Sequence, residues 1–156
     1  MAEKRQFATC LVDDLFFGIE VERVQEVTRG LDVTPVPLAP PHVRGLLNLR
    51  GQIVTAIDLR CCLQLTERSA GASRMHMILD TGDGAVSLLV DDVGGVLEVD
   101  ETDFESPPET LRGPSRELIL GAYKLDKGLL LVLDTDRIVN SVVETAVDRR
   151  GSPEVR

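Results

Sequence analysis

The sequence predicts a mainly β protein, folded as a sandwich or barrel, and three observations carry that expectation. Nine short aliphatic runs recur along the 156 residues, separated by turn residues. Aromatic residues make up only 3% of the chain and Trp is absent, so the core is built from Val, Leu and Ile, which favour strands. Two segments of the first half are echoed, in the same order, in the second half.

Phe7 to Val12 and Leu15 to Val21 flank Asp13-Asp14 and read as a first hairpin, with Gly18 as a bulge. Leu46 to Leu49 and Ile53 to Ile57 follow. In Ile53-Val54-Thr55-Ala56-Ile57 apolar residues occupy both alternating faces, so this strand is expected to be central and covered on both sides. Met75 to Leu79 and Ala85 to Val90 are joined across Gly82-Asp83-Gly84, and Val96 to Val99 comes next. Leu118 to Tyr123 and Leu129 to Leu133 are joined across Leu125-Asp126-Lys127-Gly128. One helix is predicted. Asp134-Thr135 supplies its N-cap, and Ile138, Val139, Val142, Val143, Ala146 and Val147 fall on one face. It is expected to lie along the barrel surface, with Arg149-Arg150 at its negative C-terminal end and Gly151 to Arg156 as a loose tail.

Val21-Glu22-Arg23-Val24-Gln25-Glu26-Val27 reappears 69 residues later as Val90-Asp91-Asp92-Val93-Gly94-Gly95-Val96. Downstream, Gly51, Ile53 to Ile57 and Asp58 are echoed by Gly128, Leu129 to Leu133 and Asp134. Either echo alone is within the reach of chance among valine-rich strands. Together they point to duplication of one small β unit.

The length suits one domain, or two subdomains sharing a core, and the near-average hydrophobic (43%) and charged (28%) fractions place disorder only at the ends. Acidic residues outnumber basic ones 26 to 17, with no basic block, which argues against nucleic-acid binding and against adsorption to an anionic membrane. The polar N-terminus MAEKRQFATC, the absence of a spanning apolar run and three cysteines fitting no disulfide or zinc pattern fit a cytosolic protein.

Catalytic constellations are thin. His42 and His76 have no ligand partner at helical spacing, and Gly82-Asp83-Gly84 lacks the Lys-Ser or Lys-Thr and the helix start of a phosphate loop. Cys61-Cys62 reads as a pair of buried small hydrophobes, since the sequence shows no adjacent base. A thiol enzyme using Cys61 or Cys62 with His76 is the enzymatic rival. Asp91-Asp92 reads as a solvated strand end. No metal or cofactor is expected. In the stretch VRGLLNLRGQIVTAIDLR, Gly45 and Gly51 suit turns or positive φ. Arg44 and Arg50 sit at the strand rims, where a guanidinium fork can meet a partner's carboxylates or carbonyls. Two solubilising turn residues account for the same spacing.

Asn48-Leu49-Arg50-Gly51 followed by Ile53 and Asp58-Leu59-Arg60 resembles the signature of the CheW-like domain, found in bacterial chemotaxis coupling proteins and in the regulatory domain of the CheA histidine kinases. Phe17-Gly18-Ile19 leading into Val24-Gln25-Glu26-Val27, then Pro35 and Pro37, Val90-Asp91-Asp92-Val93, Phe104 to Glu109, Ile119 and Gly121, and Leu131 to Ile138 agree in order. Thr55 departs from the proline the family often has there. The resemblance spans residues 5–145 and implies one CheW-like domain of two five-stranded SH3-like β-barrel subdomains, whose terminal strands can be exchanged between halves, with a flexible tail at 151–156. It implies a noncatalytic adaptor that couples methyl-accepting chemoreceptors to a CheA-type kinase, cytoplasmic and recruited to membrane receptor arrays through its partners. One barrel end is expected to meet the kinase regulatory domain, and the groove between subdomains the helical receptor tip. The residues carried over are Arg44, Gly45, Asn48, Leu49, Arg50 and Gly51 for the receptor-facing surface, and Val24, Glu26 and Val27 for contact with a partner the resemblance does not fix. Strand-end packing accounts equally for the two valines. The alternative is a CheW-like scaffold of a nonflagellar pathway, for surface motility or development, binding only one of the two partners.

Overall fold

Each of the two sheets takes in a two-stranded hairpin from the other half of the chain. The computed structural model describes residues 3–65, 74–82, 84–110, 113–126 and 128–140, and these contain eleven strands. β1 (Lys4–Val12) and β2 (Leu15–Glu20) form the first hairpin, because alternation of apolar with polar residues on both sides of Asp13-Asp14 lets one face bury. After a 3-10 turn at Val21–Arg23, β3 (Val24–Arg29) pairs antiparallel with β6 (Met75–Asp80), one arm of the second hairpin, whose other arm is β7 (Ala85–Val90). β8 (Asp92–Asp100) reciprocates by pairing with β1.

β5 (Gln52–Asp58) runs parallel to β7 with β4 (Val43–Leu49) outside it, and β11 (Gly128–Leu133) runs parallel to β2 with β10 (Ile119–Leu125) outside it. The strand orders are therefore β3-β6-β7-β5-β4 and β8-β1-β2-β11-β10-β9, where β9 is the two-residue strand Phe104–Glu105. Beyond β3, the chain returns to the opposite edge of its sheet: Thr34 exchanges both backbone hydrogen bonds with Leu46 of β4, at 2.7 and 2.9 Å. Beyond β8, β9 does the same on β10. Each sheet thereby curls into an SH3-like β-barrel subdomain.

The duplication is visible residue by residue. A register shift falls between Val43 and Gly45 in β4 and between Ile119 and Gly121 in β10, and both glycines sit where the returning chain crosses. A Cβ on Gly45 would lie 2.1 Å from the Thr34 carbonyl oxygen, and one on Gly121 would lie 2.4 Å from that of Glu105. The two valine-rich echoes occupy the equivalent shifted stretches of β3 and β8. Asp58 and Asp134, which end the second pair of echoes, both cap helices: Asp58 accepts from the backbone of Arg60 and Cys61 at the start of α1 (Leu59–Cys62), and Asp134 accepts from Arg137.

Three apolar clusters follow from this layout. Leu47, Val54, Ala56 and Ile78 fill one barrel, and Phe7, Tyr123, Leu130 and Val132 the other. The largest cluster joins the barrels, bringing Phe17 and Ile19 of the first hairpin against Met77, Leu88, Ile57, Leu133 and Ile138.

The structure differs from expectation in several places. Gly18 is not bulged: β1 and β2 run in unbroken register through it, and its lack of a side chain instead admits Phe7 and Leu130, whose atoms would lie 3.1 Å from a Cβ there. β3 escaped the pattern because polar and charged residues alternate with valines along a half-buried edge strand, and β9 because two residues carry no period. In β5 the two-sided cover is graded. Ala56 and Ile57 are buried toward different clusters, while Ile53 at the turn is 61% exposed. A short helix, α2 (Pro114–Glu117), precedes β10. Residues 135–140 are helical with Ile138 buried. The rest of that predicted helix, its Arg149-Arg150, the 151–156 tail and the turn residues Asp83 and Lys127 lie outside the described residues.

Candidate partner-binding site

β4 and β5 meet at a two-residue turn, Arg50-Gly51, with φ of 53° and 87°, the doubly left-handed geometry that matches strand twist in tight hairpins. Gly51 takes that φ without strain, and the Asn48 side chain fixes the turn by accepting from the Gly51 N–H at 2.8 Å. Arg50 is 71% exposed and forks onto Glu26 of β3, with Nη2 donating to Oε1 at 2.7 Å and Nη1 to Oε2. That hydrogen-bonded guanidinium holds the Glu26 carboxyl below its usual value and raises Arg50 in turn. The pair links the turn to the opposite edge strand. What reaches solvent is an arginine whose charge is already half answered.

Beside it, the outer face of the hairpin carries Leu46 and Asn48 on β4, paired across to Thr55 and Ile53 on β5, and Val27 stands exposed on β3. The predicted residues thus divide. Asn48, Arg50, Gly51 and Val27 are on the surface, with Glu26 half-buried under Arg50. Leu49, 7% exposed, belongs to the barrel core, and half-buried Val24 packs on the shared core. Gly45 is buried at the chain crossing, where it serves the fold. Arg44 donates through Nε to Asp58 at 2.7 Å. Sequence reasoning missed Leu46 and Ile53 as surface residues, because an apolar residue in a strand reads as core until the neighbouring strands are placed.

A charged cluster gathers at the end of β5, and Arg60 carries it across to the other barrel. Asp58, 1% exposed, receives Arg44 on Oδ2 and Arg74 on Oδ1 at 2.8 Å. Burial alone would raise its carboxyl, but the Arg44 hydrogen bond and the Arg74 charge outweigh burial and hold it below the ordinary value. Buried Arg60 donates through one nitrogen, Nη1, to both Asp13 (2.6 Å) and Asp91 (2.7 Å), and Asp91 also accepts from the Asp13 backbone N–H at 2.8 Å. Arg74 Nε lies 4.0 Å from Asp91. Asp91 is therefore no solvated strand end. It sits where β7 hands the chain to β8, and only its neighbour Asp92 faces water.

His76 is buried against Ser87, 2.8 Å from Oγ, and burial lowers its pKa. Its side-chain partner lies on the neighbouring strand β7. The imidazole near Cys61 is His42, with Nδ1 3.2 Å from Sγ, and the thiol also reaches the Pro41 carbonyl at 3.4 Å. Cys10 and Cys62 are buried, and burial pushes both thiols up to about 12. The expected result of maleimide treatment of native protein is a single adduct on Cys61, with Cys10 and Cys62 labelled only after unfolding. Mass spectrometry showing three adducts on native protein would contradict these burials. Among the described residues no group of three or more His, Cys, Asp and Glu is gathered to hold a metal ion, and no helix is long and apolar enough to cross a membrane.

The family model of the CheW-like domain matches residues 6–143. A chemotaxis protein CheW of Klebsiella aerogenes is 31% identical over 133 residues, covering 85% of this chain and 80% of its own. A chemotaxis protein CheW of Treponema pallidum is 29% identical over 143 residues, covering 89% and 84%. The crystal structure of the scaffolding protein TtCheW from Thermoanaerobacter tengcongensis superposes with a TM-score of 0.76 over 85% of this chain and 90% of that one, at 23% identity, a likeness of fold.

Proposed function

The chain belongs to the CheW-like domain family, and from that premise we propose that it is a noncatalytic chemotaxis adaptor that couples methyl-accepting receptors to a CheA-type kinase. It works in the cytoplasm and joins receptor arrays through its partners, in keeping with its net charge of -9, which disfavours direct adsorption to an anionic membrane. The single observation that supports this reading best is the outer face of the β4–β5 hairpin. There Leu46 and Ile53 leave apolar area in solvent beside the Arg50–Glu26 ion pair, the arrangement of apolar centre and charged rim that protein interfaces use, and Val27, next to Glu26 on β3, is exposed as well. Asn48, Arg50 and Gly51 shape that rim; Leu49, Gly45, Arg44 and Val24 support it from within. One domain spans residues 5–145, with the kinase regulatory domain at a barrel end and the helical receptor tip in the groove between subdomains.

Arg50→Asp tests this. An exposed ion pair contributes little to stability and Asp is accepted at the left-handed φ of this turn, so the melting curve is expected to move little even with a second carboxylate beside Glu26. Binding to a receptor cytoplasmic fragment, to the kinase regulatory domain, or to both is expected to fall by about thirtyfold, the lower bound of an interface hot spot. Unchanged affinity for both partners would remove the hairpin rim from the interface.

A further inference from the structure

Resting on the adaptor reading, we propose that Arg60 and Asp91 are positioning residues, which hold the two barrels in the one relative orientation that lets receptor and kinase be engaged productively together. The residues come from three segments that the fold brings to one point. Arg60 lies on α1, at the end of β5 in one barrel. Asp13 is the turn of the hairpin that begins the other. Asp91 stands between β7 and β8, at the step where the chain crosses from one barrel to the other. Its backbone N–H donates to the Leu11 carbonyl at 3.0 Å while its carboxylate takes Arg60 and the Asp13 N–H, so main chain and side chain pin the crossing together.

The apolar contact between the barrels carries little directional information of its own. Its residues are mostly aliphatic, and such contacts are non-directional and tolerate repacking. A guanidinium nitrogen shared by two carboxylates at 2.6 and 2.7 Å tolerates little displacement. Arg74, from the same barrel as Arg60, flanks the cluster: it donates through Nη2 to Asp58 and its Nε lies 4.0 Å from Asp91. Buried charge that adds little net stability but selects one arrangement is a recognised use of such groups. Here the arrangement selected is the angle between two docking surfaces.

The test uses the full chain. Removing Arg60 alone strands a buried carboxylate and risks the fold, so the informative variant is Arg60→Met with Asp91→Asn, which keeps side-chain length, an acceptor for the Asp13 N–H and local neutrality. Spin labels at exposed Gln25 and Lys124, on a Cys61→Ser background, report the distance between barrels without any partner. Binding to a receptor fragment and to the kinase regulatory domain, each alone, and receptor-controlled activity of the whole kinase are then measured in parallel. The parent is expected to give one narrow distance, and the double variant a broadened or shifted one. Single-partner affinities are expected to hold within about twofold, while receptor-controlled kinase activity drops by about tenfold, the scale of a coupling between sites. Arg60→Lys is expected to recover part of that loss, since an ammonium group supplies donors where one nitrogen bridges both acids. An unchanged distance distribution overturns the proposal. So does full activity in the double variant, or a loss of single-partner binding that tracks a lowered melting point, which marks a purely structural role. If the wild type binds neither partner, the adaptor reading has failed, and the distance measurement alone decides the positioning.

Discussion

Ile57→Asp is expected to yield no folded protein. Ile57 is 1% exposed, in a strand flanked by β4 on one side and β7 on the other, and its side chain enters the cluster shared by both barrels. Losing a buried isoleucine side chain costs about 2–5 kcal/mol, and a carboxylate with no partner adds several more or forces the group to take up a proton. Against a total stability of about 5–15 kcal/mol for a domain of this kind, that sum removes the native state. Ile53→Asp, four residues earlier on the same face of the strand, is the matched control: it is solvent-exposed and its protein is expected to fold. Soluble yield and a melting curve decide the point. A soluble Ile57→Asp protein melting like the wild type would show that the shared core is not where the structure places it.

The second large effect is expected from Asp58→Ala. This side chain ends β5, caps α1 and receives two arginines, so its removal leaves Arg44 and Arg74 facing each other with no acid between them. Breaking one partner out of a buried ion pair costs about 3–5 kcal/mol. The same residue gives a pH dependence with a definite sign. Its carboxyl is held below the unfolded value, so its contribution is complete above the ordinary carboxylate pKa of about 4 and is lost as pH falls through its lower native pKa. The wild-type melting temperature should therefore decline on acidification through that window, and Asp58→Ala, destabilised at neutral pH, should decline less steeply. Parallel curves for the two proteins would contradict the role given to Asp58.

How far the sequence reaches is plain from particular residues. The strand runs were legible because alternation and turn residues are local signals: Asp13-Asp14 does join β1 to β2, and Asp134 does start a helix. The matched echoes were legible too, and the structure puts them at topologically equivalent places, with the same register shift and the same capping aspartate. The chain partners of β3 and β8 were not legible. Nothing in Val24 to Arg29 says that its hydrogen bonds go to Met75–Asp80 and not back to the hairpin it follows, since that pairing spans about fifty residues of sequence. The site divided in the same way. Arg50, Gly51 and Asn48 form a turn whose geometry follows from their own side chains. By contrast, the burial of Leu49, the exposure of Ile53 and the partners of Arg44, Arg60 and Asp91 depend on segments far away in the chain. Asp91 looked like surface because its two cationic neighbours, Arg60 and Arg74, come from the far side of a crossing that no local pattern announces.

The measurement that tests the adaptor reading most directly is whether the protein holds both partners at once. Purified protein mixed with a receptor cytoplasmic fragment and the kinase regulatory domain, and followed by size-exclusion chromatography with light scattering, is expected to give one complex containing all three. Two binary complexes that exclude each other, or no complex with either partner, would contradict it.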